Sequence, residues 1–230
     1  MLRVENKIGI PESKATGMDT LELCLNKEYF KSYTKQISYR YNSKGFRDDE
    51  WPEDLSDVIW CVGDSFTVGI GQPFEETWPQ ILQKKLGKRC LNISEDGCSN
   101  DTMSVRIQEI CKSYNPKLIV VMWSYLARRR LNGKNVHHDK KDFGVYADLS
   151  NFSKNFRTVN DLQTDIVNLI IPFAFEDMDM IKTKYPNLDC FTQLDYARNY
   201  HHFDVKTSKG VSRLIQQRIK KFDNSSKYPI

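Results

Sequence analysis

No stretch of this 230-residue sequence stays apolar for the roughly 20 residues that a membrane-crossing helix needs. Its first residues, Met1-Leu2-Arg3-Val4-Glu5-Asn6, lack the hydrophobic core of a secretory signal, so no signal peptide is expected. Cysteine is sparse and never paired as C-x-x-C. The six residues stand at 24, 61, 90, 98, 111 and 190, which speaks against a zinc site. Cys61, Cys90 and Cys190 lie in or beside apolar runs and read as reduced core residues, in keeping with a cytoplasmic, reducing setting. Of only four histidines, His137-His138 sits in a polar stretch beside Asp139, with no further ligand at metal-binding spacing. It reads as a surface pair, and neither metal nor cofactor is expected. There is no Gly-Lys-Ser/Thr for a phosphate loop, and Gly69-Ile70-Gly71 lacks the third glycine of a dinucleotide fingerprint. The net charge of +4 is modest. Arg128-Arg129-Arg130 and Lys220-Lys221 have acidic neighbours and read as solvated faces, so no nucleic-acid partner is expected. Repeats and low-complexity tracts are absent.

What is present suits one α/β domain with an extension. Hydrophobic residues make up 40% and aromatics 12%, enough for a sizeable core. Residues 1–50 have too few apolar positions for their own core and read as an extension, with a short helix over Thr20 to Tyr29 and a strand-like Gln36 to Tyr41. Trp51-Pro52 marks the boundary with a main domain, 51–230. From Val58 the rhythm is strand, helix, strand, helix, which implies right-handed crossovers and a parallel sheet. Strands are expected over Val58–Val62, Cys90–Ile93, Lys117–Trp123, Val167–Phe173 and Leu188–Phe191. Helices are expected over Phe74–Leu86, ended by Gly87, over Asn100–Tyr114, capped by Asn100 or Asp101, and over Val205–Phe222. Residues 124–165 read as a long loop with one short helix.

The stretch Val58-Ile59-Trp60-Cys61-Val62-Gly63-Asp64-Ser65 breaks from a buried strand into a turn. A serine just past the carboxyl end of such a strand stands where open α/β sheets place their ligands. The tripeptide alone is compatible with an ordinary turn in which Asp64 and Ser65 cap backbone groups, and with a nucleophilic serine. Three more stretches follow strand ends: Asn92 to Asn100, Trp123-Ser124 with Arg128 behind it, and Asp195 to Asp204. A serine, a glycine N–H and a histidine converging at one sheet edge supply what acyl transfer requires: nucleophile, oxyanion donors and base. Cys98 has no histidine near it in sequence and fits the nucleophile's role less well. Arg128 reads first as a surface salt bridge and second as a contact for an anionic substrate group.

In their order along the chain these blocks resemble the SGNH, or GDSL-type, hydrolases. Gly63-Asp64-Ser65 is similar to that family's first block, Asn92-x4-Gly97-x-Ser99 to the second, and Ala197-Arg198-Asn199-Tyr200-His201-His202-Phe203-Asp204 to the last. The leader Tyr39-Arg40-Tyr41-Asn42-Ser43-Lys44-Gly45-Phe46-Arg47 resembles one in a subset common in bacteriophages and large viruses, which implies a virion-associated alternative to the cytoplasm. The resemblance implies Ser65 as nucleophile, His202 as base, and the N–H groups of Ser65 and Gly97 in the oxyanion hole. His201 is then a bystander, because neighbours on an extended stretch face opposite ways. Two positions depart from the pattern. The acid position holds Asn199, with Asp195 or Asp204 as substitute acids. The third block is Met122-Trp123-Ser124-Tyr125, where Ser124 stands in place of an asparagine donor. The implied fold is a three-layer α/β/α domain with a mostly parallel five-stranded sheet in flavodoxin-like order, its central strand being that of Val58–Val62. The implied activity is hydrolysis of a carboxylic ester, on a small ester or an acylated glycan. The rival is a catalytically degenerate module that binds a glycan or a protein.

Overall fold

The computed structural model describes residues 37, 39–137, 144–197 and 201–225. The helix expected over Thr20 to Tyr29 lies outside them. Five strands form the main sheet: β1 (Ile59–Val62), β2 (Cys90–Asn92), β3 (Leu118–Trp123), β6 (Asp165–Ile170) and β7 (Leu188–Cys190). Their order is β2-β1-β3-β6-β7, and every neighbouring pair is parallel. β1 is flanked by β2 and β3 as expected, although β3 occupies the middle. All four residues of β1 are buried, as a strand covered on both faces requires.

The helices are α1 (Ser65–Val68), α2 (Trp78–Leu86), α3 (Asn100–Tyr114), α4 (Val145–Asn160), α5 (Met178–Lys184) and α6 (Val205–Ser225). Right-handed crossovers that run left from β1 and right from β2 send α2 to one face and α3 and α4 to the other. Packing of α2 on α6, and of α3 on α4, completes two helical layers. α2 buries Trp78 and Leu82 and ends at Gly87, whose φ of 62° suits a residue without Cβ. α3 buries Met103, Ile107 and Ile110 on one face. Its cap is Ser99, one residue before the expected Asn100, and the Ser99 hydroxyl accepts from Thr102 N–H.

Three expectations need correction. Residues 124–165 are not mainly a loop. They hold an antiparallel hairpin, β4 (Arg128–Leu131) with β5 (Lys134–His137), and the 16-residue α4. The apolar face of α4 consists of Leu149, Phe152 and Val159, spaced by polar residues that hide its period. The fourth sheet strand begins at Asp165, earlier than expected, and stops before Pro172, which cannot donate to a ladder. The strand-like reading at residues 39–41 finds no strand there. That segment tucks Tyr39 against Val68 and Ile70 in a small second cluster, while Phe46 joins the main core.

Candidate active site

The order of the sheet strands reverses beside β1, and Ser65 lies just past its carboxyl end, at the crevice such a reversal opens. Gly63 must be glycine, since a Cβ there would stand 2.1 Å from Thr67 Oγ1. Asp64 caps α1: its Oδ1 accepts from Phe66 N–H at 3.0 Å, and its carbonyl accepts from Thr67 and Val68. Gly69, at φ 79°, closes the helix after four residues. Ser65 is buried. Among the described residues, no backbone hydrogen bond uses the N–H of Ser65 or of Gly97, and Gly97 turns the chain after β2 at φ 69°.

Arg47, the last residue of the leader, and Asp48 after it brace this loop, a role not assigned from the sequence. Arg47, 1% exposed, donates to the carbonyls of Val68 at 3.1 Å, Gly69 at 2.6 Å and Gln72 at 2.8 Å. Asp48 accepts from Asn92 N–H at 3.0 Å and pairs with Arg89 at 2.8 Å. Burial pushes the Asp48 carboxyl up to about 6 against the opposing pull of Arg89. Asn92 in turn donates its amide to Thr67 O at 3.0 Å, joining the second block to the first. The only outward signs of these roles were a basic and an acidic residue beside a turn, and nothing local to such a pair tells of burial.

The third block differs from its expected part. Ser124 Oγ donates to Asp64 Oδ2 at 2.5 Å and accepts from Arg128 Nη1 at 2.9 Å. A hydroxyl has a single proton, and this one is directed at Asp64, so Ser124 is not placed to replace an oxyanion donor. Arg128 is not a surface salt bridge. Its guanidinium, 13% exposed, meets the fully buried Asp64 at 2.7 Å. Burial raises the Asp64 carboxyl above its ordinary range, and Arg128 chiefly opposes this. Asn100, read from sequence as a helix cap, braces the same block: it accepts from Ser124 N–H at 2.9 Å and donates to the carbonyls of Ser124 and Tyr125.

His202 is held beside an antiparallel bridge of Tyr196 with Phe203, and its carbonyl accepts from Ala197 N–H at 2.7 Å. Its ring, 5% exposed, lies edge to face on Phe66 at 4.7 Å, beside the residue that follows the serine. Burial first, then His201 and Arg128, push the imidazole down to about 3, so it is neutral at ordinary pH. Among the described residues no hydrogen bond joins the Ser65 hydroxyl to His202 Nε2; such bonds commonly tighten only with substrate. Asn199 lies outside the described residues. Asp204 is no substitute acid, because its carboxylate caps α6 by accepting from Lys206 and Thr207. Asp195 is exposed and accepts from Tyr196 N–H at 2.7 Å. The Cys98 thiol is pushed up to about 12 by burial, which leaves it inert as a nucleophile.

His201, read from sequence as a bystander, is exposed and lines a cleft of about 720 Å³ with Arg128, His137 and Phe173. No group of three or more His, Cys, Asp or Glu among the described residues is placed to hold a metal ion. No helix among them is long and apolar enough to cross a membrane.

In sequence, no family model and no curated protein matches the chain. In structure, it is similar to a psychrotrophic esterase from Pseudoalteromonas sp., at 16% identity and a TM-score of 0.51, over 74% of this chain and 100% of that one. A putative lipolytic protein of the G-D-S-L family from Desulfitobacterium hafniense is similar over 70% of this chain and 99% of its own, at 15% identity and a TM-score of 0.48. A family two carbohydrate esterase from Clostridium thermocellum, solved with cellohexaose, is similar over 75% and 66%, at 16% identity and a TM-score of 0.49. The chain therefore shares the α/β fold of that Pseudoalteromonas esterase.

Proposed function

We propose that this protein hydrolyses a carboxylic ester, with Ser65 as nucleophile and His202 as base. The observation that supports the reading is the contact at 4.7 Å between the buried, neutral His202 imidazole and Phe66, the residue that follows Ser65 at the sheet's switch point. Ser65 Oγ adds to the ester carbonyl as His202 takes its proton. The N–H groups of Ser65 and Gly97 receive the oxyanion. His202 then returns the proton to the departing alkoxide, and water releases the acyl group by the same route. Small esters and acylated glycans are the substrates proposed.

One feature favours a second reading, a binding module on the same fold. With Asn199 at the acid position and the Ser124 hydroxyl directed at Asp64, two of the family's catalytic contributions are displaced. Loss of one oxyanion donor alone costs on the order of 3 kcal/mol of transition-state stabilisation.

Labelling with a fluorophosphonate and turnover of short-chain esters decide between them. We expect the probe's mass on Ser65 and none on Ser65→Ala. Asn199→Asp is expected to raise turnover between about tenfold and a thousandfold by restoring a carboxylate to the base. A wild type that stays unlabelled and is no faster than Ser65→Ala across several ester types establishes the binding module instead.

A further inference from the structure

Just past β6 the chain makes a turn that its sequence should resist. Ala174 N–H donates to Ile171 O at 3.3 Å and closes a four-residue turn with Pro172 and Phe173 at its centre. Phe173 sits there at φ 60°, in the left-handed region, where such turns ordinarily place glycine. The turn is held at both ends, since Ile171 N–H donates to Trp123 O and Leu126 N–H to Ala174 O. The outcome is a phenylalanine left 68% exposed at the carboxyl edge of the sheet, where it lines the cleft. A large apolar side chain, strained and exposed at once, gains nothing for folding from its position.

The rest of the cleft says what that ring meets. Tyr125 and Phe175 add aromatic surface, while His137, His201 and Glu176 set polar atoms among them. Arg128 also borders it, but the Asp64 carboxylate already receives its Nη1. An anionic ligand would face Glu176 with that guanidinium already engaged, and Asp148 on the same wall is buried and paired with Arg129 at 2.7 Å. A long acyl chain would strip water from the exposed Glu176 and His201 without returning a hydrogen bond. A neutral ring carrying hydroxyl groups satisfies both kinds of surface, its flat face on the aromatics and its edge toward imidazole and carboxylate. The cleft adjoins the serine block, since Tyr125 and His201 both lie within about 6.4 Å of Phe66, ring centre to ring centre.

We propose that Phe173 is the stacking platform of a subsite for a neutral, hydroxylated ring of pyranose type, which holds an acylated sugar with its ester toward Ser65. This rests on the ester-hydrolase reading, and the test separates the two. Phe173→Ala, Phe173→Gly and Phe173→Tyr are compared with wild type on methyl 6-O-acetyl-glucopyranoside, ethyl acetate and ethyl hexanoate. We expect KM for the acetylated pyranoside to rise about 5- to 10-fold in the alanine and glycine variants, the loss of one stacking contact. kcat, and kcat/KM for ethyl acetate, should stay within about twofold, and Phe173→Tyr should keep the wild-type KM. Phe173→Gly should melt no lower than wild type, since it relieves the turn. Equal losses on all three esters, a KM rise confined to ethyl hexanoate, or no change at all would overturn the subsite. If wild type cleaves no ester, the catalytic reading falls alone. Saturation transfer from the protein to the pyranoside ring protons, present in wild type and lost in Phe173→Ala, then still supports the subsite, and its absence in wild type overturns it.

Discussion

Replacing Arg128 by methionine tests the electrostatics under the turn that carries Ser65. The guanidinium is the only cation the fully buried Asp64 meets among the described ion pairs, at 2.7 Å, and Asp64 caps the helix that begins with Ser65. Without Arg128 the carboxylate keeps the Ser124 hydroxyl and Phe66 N–H but carries an uncompensated buried charge. Breaking one side of such a pair costs about 3–5 kcal/mol. For a chain of this size that is a fall in Tm of roughly 10 °C. The sign with pH follows from Asp64. Its folded carboxyl is already raised by burial, and losing Arg128 raises it further. A raised acid binds its proton more tightly in the folded state, so stability is fully present at low pH and is lost as pH rises through the folded value. The deficit of Arg128→Met in urea unfolding should therefore be larger at pH 8 than at pH 5. The second mutation Asp64→Asn, which removes the charge and keeps an acceptor, should recover most of it. If the double variant is no more stable than Arg128→Met, or the deficit does not change with pH, the buried-charge argument is refuted.

Two further outcomes follow from the same principles. His202 is held near 3 by burial, so the acid limb of kcat/KM in an ester assay should fall well below pH 5; a limb near 6.5 would show an ordinary, solvated imidazole. Asp48 is raised to about 6, so wild type loses stability relative to Asp48→Asn as pH climbs from 4 through 6. Melts at pH 4.5 and 8 should show the gap moving in favour of the asparagine variant, and a pH-independent gap would contradict it.

Local pattern carried much of the fold. Runs such as Leu118–Trp123 are too short and too apolar for anything but a buried strand, and Gly63-Asp64-Ser65 marks its own turn because only glycine fits against Thr67. The alternation of these strands with helices implied parallel crossovers, hence one carboxyl edge where Ser65 follows β1 and Gly97 follows β2. The same reasoning made α4 only a short helix, because its apolar face is diluted by Ser, Asn, Lys and Arg, and it missed the hairpin of β4 and β5, whose sequence is almost wholly polar. It also misplaced Arg128 and Ser124. Spacing along the chain tells where a residue stands, but burial and partners come from elements far away in sequence: Asp64 claims the hydroxyl of a residue 60 positions on, and Arg47 holds carbonyls more than 20 positions on. Hydrophobic period and turn chemistry are local and legible. The pairing of a buried charge, and the strained exposure of Phe173 over its cleft, exist only once the sheet has brought the strand ends together.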